Sequence, residues 1–219
     1  MASYFNLTLD TLAPSGIKLL INDGAQYTTS TAVTLKIELE DAATTGYQMK
    51  IWGTADAATE TAASWQTFAA SKSVNITSGD GLKTIYVKIR DDVGNESAAA
   101  SDTITLDTAV AAVTVTGPDK SKISKKDGYN SAAFSFTSDR PFVEYKVCVV
   151  PSITSLQDAG VVIPTTNGST GTSGTGSFNA NTAVNVTIKG ADLEEASSGD
   201  GVKIVKVFVR SEAGIWSVA

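Results

Sequence analysis

The chain has 219 residues, of which 17 are basic and 23 acidic, and it contains one cysteine and no histidine. The missing histidine excludes Ser–His–Asp and Cys–His catalysis and every histidine-ligated metal site, and the lone Cys148 excludes intrachain disulfides and cysteine-based metal centres. The formal net charge of −6 argues against a module that binds nucleic acid through its phosphates.

Apolar and polar residues alternate along most of the chain, which is typical of strands with one buried face. In the first half, this alternation predicts strands at 33–39, 47–51, 74–76 and 85–89. Turn signals rich in Asp and Gly separate these segments, for example at 23–24 and 79–81. Helical periodicity is almost absent, and we expect only a short helical turn near 191–195. The pattern indicates an all-β sandwich.

The second half of the chain repeats a block of the first. Residues 78–90 and 198–210 both begin with Ser-Gly-Asp-Gly and end with Arg, and the match continues to Ser97 and Ser217. Self-similarity of this kind indicates two copies of one structural unit.

A second pair of matching segments lies upstream of the repeated block in each copy. We align Tyr47 with Tyr145 as counterparts and expect both side chains in the cores. The distance from this tyrosine to the repeated block is longer in the second copy, which places an insertion at about 151–190, including a Gly- and Thr-rich loop at 170–176. The predicted organisation is an N-terminal arm at 1–10, domain 1 at 11–108 and domain 2 at 109–219.

Three features resemble bacterial and phage immunoglobulin-like repeats: the linker Leu106-Asp107-Thr108, the Tyr-containing central strand, and the Gly-Asp-Gly block that leads into residues 91–95. The resemblance covers most of residues 9–219 and implies two tandem immunoglobulin-like β-sandwich domains. Such repeats decorate cell-surface proteins and the capsids, tails and baseplates of phages. For this cysteine-poor chain, the resemblance implies a non-enzymatic virion protein, a decoration protein or a tail or baseplate subunit, that acts by protein–protein docking.

The two copies differ at their ends. Domain 1 continues after Gly94 into an apolar strand at 100–106, and domain 2 stops at Ala219 before its counterpart of that strand. The sequence Thr-Leu-Asp-Thr at 8–11 is identical to residues 105–108. We therefore expect that domain 2 lacks its own last strand, which leaves an edge that is an aggregation hazard unless something covers it.

The arm carries apolar residues that could cover this edge: Tyr4, Phe5, Leu7 and Leu9. One hypothesis is that residues 4–9 pair with the open edge of a domain 2, within the chain or between chains by strand exchange. The alternatives are that they extend the first strand of domain 1 or dock on another virion protein.

Domain 2 also has an apolar outer sheet face where domain 1 has Thr84 and Lys88. The candidate partner-binding residues on this face are Ile204, Phe208, Cys148 and Val150. Such a face indicates either contact with a partner or cover by the 151–190 insertion. Trp216, at the position of Glu96, is a further candidate for a partner contact, with local packing as the alternative.

Other polar groups have structural interpretations. Asp91, Asp92 and Asn95 offer oxygen ligands to a cation, but Asp and Asn also stabilise tight turns through their own backbone, and this second interpretation is favoured. Adjacent Glu194 and Glu195 are interpreted as solvated surface rather than as a catalytic acid pair. We predict no catalytic residue, no metal and no cofactor.

The expected partners are other virion proteins and copies of this chain, with no nucleic acid and no membrane. The sequence has neither an apolar run long enough to span a membrane nor the basic segment and apolar core of a signal peptide, so we expect assembly into a virion in the host cytoplasm. The alternative function is carbohydrate binding or host-surface adhesion, in which tryptophan side chains or the long loop contact a host-surface glycan.

Overall fold

The structure, a computed structural model, describes residues 3–41, 43–165 and 174–218. The chain divides into two compact units, Met1–Thr108 (unit 1) and Ala109–Ala219 (unit 2). Each unit consists mainly of strands in two sheets that share one main apolar core. The predicted all-β fold with β-sandwich domains is confirmed.

Unit 1 is built from short strands separated by turns. Its strands are β1 (Lys18–Ile21), β2 (Tyr27–Thr28), β3 (Ala32–Glu38), β4 (Gln48–Gly53), β5 (Gln66–Thr67), β6 (Ser71–Asn75), β7 (Gly81–Arg90) and β8 (Ala100–Leu106). One sheet has the order β1-β3-β6 and the other has the order β2-β8-β7-β4-β5. Alternation in β3 buries Val33, Leu35 and Ile37 and leaves the residues between them exposed, as the sequence pattern predicts.

Strand β8 completes the larger sheet of unit 1. Residues 100–106 of β8 pair antiparallel with residues 81–87 of β7. Ile104 and Leu106 point into the core and are each 1% exposed. The side chain of Asp102 accepts a hydrogen bond from the backbone N–H of Ile21 in the facing sheet, at 2.8 Å. β8 therefore contributes both backbone pairing and core side chains.

Unit 2 repeats this arrangement with additions. Its elements are β9 (Val113–Thr116), β10 (Ser131–Ser138), β11 (Phe142–Val150), β12 (Val161–Val162), β13 (Gly174–Phe178), β14 (Val184–Lys189), α1 (Gly190–Ala196) and β15 (Ile204–Arg210). One sheet has the order β14-β10-β9. In the other sheet, β11 is central, with β15 along one side and β12 and β13 along the opposite side. No helix in the described ranges is long and apolar enough to cross a membrane.

The insertion in unit 2 is shorter than the range 151–190 in which it was predicted. That range includes β13 and β14, which pair with β11 and β10 as β5 and β6 pair with β4 and β3. The added residues therefore lie between β11 and β13. Of the predicted Gly- and Thr-rich loop, residues 170–173 lie outside the described residues and the remainder begins β13.

The alignment of Tyr47 with Tyr145 is wrong by two residues. Arg90 of β7 lies opposite Gln48, and its counterpart Arg210 of β15 lies opposite Glu144. Tyr145 therefore corresponds to Met49. The error arises because strand alternation has a period of two, so a shift by two residues leaves the buried face unchanged.

The two tyrosines consequently have different environments. Tyr145 is fully buried, with its hydroxyl hydrogen-bonded to that of Thr165 at 3.1 Å. Its ring occupies the space beside Gly174, where a Cβ atom would lie 1.8 Å from the ring. Tyr47 is only half-buried, and its hydroxyl donates to Asp41 at 3.0 Å. The prediction that both are core residues holds fully for Tyr145 alone.

Candidate docking surfaces

The arm is exposed in the structure. Residues 3–17 belong to no helix or strand, and β1 begins only at Lys18. The four apolar arm residues are between 85% and 90% exposed: Tyr4, Phe5, Leu7 and Leu9. One of the alternatives from the sequence, extension of the first strand of domain 1 by residues 4–9, is therefore not found among the described residues. A hydrogen bond of 3.4 Å from the Asn95 side chain to the carbonyl of Asp10 holds the base of the arm.

Unit 2 has an open strand edge where unit 1 has β8. One side of β15 pairs with β11. On the other side, the described residues provide one bridge, from Arg210 to Trp216, and no strand. Within the described residues, this arrangement agrees with the prediction that domain 2 lacks a counterpart of β8. We call the side of β15 that lacks a strand, together with residues 201–203 before it, the open edge.

A groove of about 700 Å³ lies beside the open edge. Its lining is partly apolar, with Pro118, Ile123, Ala132, Ile188, Leu193 and Val205, and partly polar, with Lys120, Ser121 and Lys122. Residues 200–203 also border it. The corresponding residues of unit 1 lie next to β8, so the groove occupies the side of unit 2 that β8 fills in unit 1.

The apolar outer face of unit 2 is covered. Phe208 and Cys148 are 0% exposed and Val150 is 5% exposed, and they form a cluster that includes partly buried Ile204 and Trp216. The expectation that these residues form an exposed partner surface is wrong for the three buried side chains. Cover by the insertion, the alternative from the sequence, is what the structure has.

The cover consists of residues 151–163, which we call the cover segment. Its strand β12 places Val162 opposite Cys148, and Gly160 packs so closely against Val150 that a Cβ atom would lie 2.6 Å from that side chain. The ammonium group of Lys206 donates to the carbonyls of Ile153 and Ser155 at 2.7 and 2.8 Å. Both apolar packing and charge-assisted hydrogen bonds therefore hold the segment down.

Burial under this segment changes the chemistry of the cysteine. It raises the pKa of the Cys148 thiol, an effect that the nearby Lys146 ammonium only partly opposes. A thiol held protonated is a poor nucleophile. Cys148 is therefore a packing residue in the structure.

Tryptophan side chains stack on cations in both units. Trp65 lies 4.5 Å from the Lys50 ammonium and 4.4 Å from the Arg90 guanidinium, measured to the ring centroid. Trp216 lies 4.6 Å from Lys146 and 5.8 Å from Arg210. The register makes these two Lys–Arg pairs counterparts, although the tryptophans come from different segments of the repeat.

The tryptophans thus contribute to internal contacts. The structure places Trp216 at the position of Glu96, as predicted, because both bridge to the arginine at the end of the preceding strand. Trp52 is 8% exposed and stacks on Tyr86 with 5.4 Å between ring centroids. Local packing therefore accounts for Trp216, and sequence spacing alone could not show which cations it meets.

The acidic loop of unit 1 is a closed turn. Asp91 accepts hydrogen bonds from the backbone N–H groups of Val93 and Asn95 at 3.0 and 2.8 Å, and from the Asn95 side chain at 2.8 Å. Burial alone would raise the pKa of Asp91, but these hydrogen bonds outweigh it and hold the pKa below its usual value. In unit 2, the Ser211 hydroxyl accepts from Ile215 at 3.3 Å in the corresponding turn.

The remaining acidic candidates also make local contacts. Glu194 in α1 accepts a hydrogen bond from the backbone N–H of Gly199 at 3.3 Å. Asp80 accepts from both the backbone N–H and the hydroxyl of Thr108, at 2.9 and 2.7 Å. This contact fastens the end of β8 to the Gly-Asp-Gly turn, and the sequence repeat gave no indication of it.

No protein family and no curated protein matches the chain. Among solved structures, it resembles the fibronectin(III)-like modules of Clostridium thermocellum CbhA, with a TM-score of 0.46, 10% identity, and 92% of this chain and 90% of that chain covered. It also resembles the D00-D0 domain of intimin, with a TM-score of 0.32, 13% identity and coverage of 92% and 96%.

A third similarity is to carbohydrate-binding modules from the β-sandwich superfamily, with a TM-score of 0.36, 10% identity, and coverage of 95% and 99%. Similarity at this level assigns no ligand or partner to this chain.

Proposed function

We propose that the chain is a non-enzymatic structural or accessory protein of a phage particle and that it acts by docking to other proteins. The observation that carries the proposal is the arm. Its four large apolar side chains are at least 85% exposed within one short segment. Contiguous exposed apolar surface on a soluble protein marks an interaction site.

The rest of the chain supports a structural role. Several charged side chains are engaged in local ion pairs. Lys88 binds Glu60 and Glu96 at 2.8 and 3.2 Å, and Arg210 pairs with Glu144. Such contacts stabilise loops and sheet faces.

The assignment to a phage particle is the finer part of the proposal. It is supported by the resemblance of the Leu-Asp-Thr linker and the repeated Gly-Asp-Gly block to immunoglobulin-like repeats. Each sandwich unit presents loops and strand edges on which another protein can dock.

The test is to look for the chain in purified particles. Particles from cells that express the chain with its phage would be separated on a density gradient, and copies per particle would be counted by quantitative mass spectrometry. We expect a fixed copy number that falls when Phe5 and Leu7 are both replaced by Ser, with Leu12→Ser as the control at a comparably exposed position. Absence of the chain from intact particles would overturn the proposal.

A further inference from the structure

Strands β7 and β15 are the same strand of the repeat, but they differ in length. β7 includes residues 81–83, which pair with residues 104–106 of β8. β15 begins only at Ile204, and the counterpart residues 201–203 belong to no strand. Val202, in the middle of this stretch, is 96% exposed. The open edge therefore lacks the neighbour that gives the strand its full length in unit 1.

The arm repeats the end of the strand that fills this place in unit 1. Thr-Leu-Asp-Thr occurs at 8–11 and at 105–108, where its first two residues end β8. In this alignment Leu9 corresponds to Leu106 and Leu7 to Ile104, the two β8 side chains that are each 1% exposed in the core. Both arm residues are 86% exposed, so the same apolar positions are buried in β8 and bare in the arm.

We propose that the arm of one copy adds as a strand to the open edge of unit 2 in a second copy. The inference rests on the proposed docking function and names the partner, which is another molecule of the same chain. The arm donates the strand and unit 2 accepts it, so the contact is head-to-tail. Repetition of a head-to-tail contact produces a string or a closed ring.

The register of unit 1 predicts the contacts in this pairing. It places Leu9 opposite Gly201, Leu7 opposite Lys203 and Phe5 opposite Val205. Alternation along a strand directs these three arm residues to one face, the face on which Ile104 and Leu106 enter the core of unit 1. In unit 2, that side holds the groove lined by apolar residues, which three large side chains would fill.

A polar contact at the end of the strand is also duplicated. In unit 1, Asp80 binds the backbone N–H and hydroxyl of Thr108. The repeat places Asp200 at the position of Asp80, and Asp200 borders the groove. Thr11, the residue directly after the arm, corresponds to Thr108. The second copy therefore offers both the apolar groove and the carboxylate that β8 uses in unit 1.

The first experiment measures the mass of the purified chain by light scattering over a concentration series. We expect concentration-dependent oligomers, and we expect Leu7→Asp with Leu9→Asp to weaken association by about tenfold or more, because each buried leucine contributes at least that order of affinity. The control is Leu12→Asp, because Leu12 is 80% exposed but lies outside the arm segment that is proposed to pair. Since these side chains are exposed in the single chain, the variants should unfold at the temperature of the unchanged chain at concentrations where the unchanged chain is monomeric.

The second experiment tests the register and the partner. One variant carries Thr8→Cys and the other Val202→Cys, residues that the register places opposite each other. Mixed under oxidising conditions, they should form a disulfide-linked heterodimer, whereas Ser3→Cys mixed with Val202→Cys should not. The native Cys148 is fully buried and should not compete.

The outcomes separate this inference from the proposed function. A chain that stays monomeric at all concentrations, or crosslinks equally at position 3, would overturn strand exchange between copies. If the monomeric chain still entered particles through its arm, the arm would dock on a different protein and the proposed function would stand. Oligomers that require Leu7 and Leu9 and crosslink in the predicted register would support the inference.

Discussion

Replacing Phe208 by alanine tests whether the cover segment is a packed part of unit 2. The side chain is fully buried among Cys148, Val150 and the partly buried Trp216. Truncation of a buried phenylalanine to alanine costs about 3–5 kcal/mol, and we expect about 3 kcal/mol because this cluster is smaller than the main core. The Lys206 ammonium, 5.0 Å from the ring, would also lose its aromatic partner.

The assay uses the single cysteine as a reporter for unit 2. Cys148 lies in the same cluster, so its labelling rate with a thiol reagent in native buffer measures opening of the cover, and its labelling across a urea series measures unfolding of unit 2. We expect Phe208→Ala to lower the urea midpoint and to raise the native labelling rate. The urea midpoint of unit 1, followed by hydrogen exchange, should not change.

The matched control is Lys88, the counterpart of Phe208 in unit 1. Its side chain is 20% exposed and bridges two glutamates, so Lys88→Ala should cost about 1 kcal/mol or less. A loss below about 1 kcal/mol for Phe208→Ala, with unchanged Cys148 labelling, would refute the packed cover. The outer face of unit 2 would then again be a candidate surface for a partner.

Three further predictions concern other local contacts. Gly174→Ala should destabilise unit 2 by about 1–3 kcal/mol in urea melts, because the new Cβ would collide with the Tyr145 ring. Asp91 has a pKa below its unfolded value of 3.8, so its contribution to unit 1 is present above that pH and is lost as the pH falls through the folded pKa. Asp91→Ser gives unit 1 the residue type that unit 2 has at this position, Ser211. It should reduce the loss of thermal stability of unit 1 between pH 5 and 2. Lys206→Met should raise native Cys148 labelling about tenfold or more, since it removes two charge-assisted hydrogen bonds to the cover segment.

The sequence predicted the architecture because strand alternation and the repeated block are local signals. The buried positions of β3 and the short helix at Gly190–Ala196 are found where the pattern placed them. The buried Ser97 and Ser217 also match: each hydroxyl accepts from the backbone of the preceding strand, Ile89 or Val209. The structural roles of residues that depend on one turn or one strand could therefore be predicted from the sequence.

Features that depend on packing between residues far apart in the sequence could not be predicted. The register of Tyr145 was missed because a two-residue shift preserves alternation, and the deciding signal, the pairing of Glu144 with Arg210, lies 66 positions apart in the chain. The position of the cover segment was equally inaccessible, since residues 151–163 lack a clear period. What the sequence did offer was two alternatives for the outer face, and only the burial of Phe208 and Cys148 distinguishes them.

At most places where the two units differ in sequence, each unit closes its surface with its own residues, but the open edge of unit 2 is an exception. On the outer face, unit 1 places Lys88 between two glutamates and unit 2 places Phe208 under the cover segment, so each face is closed by its own residues. The cation–tryptophan cluster is likewise rebuilt in each copy, with Trp65 or Trp216. At the open edge, no described strand of unit 2 takes the place of β8. A strand edge beside a partly apolar groove favours an added strand, and residues 8–11 repeat residues 105–108, which begin at the end of the strand that this position holds in unit 1.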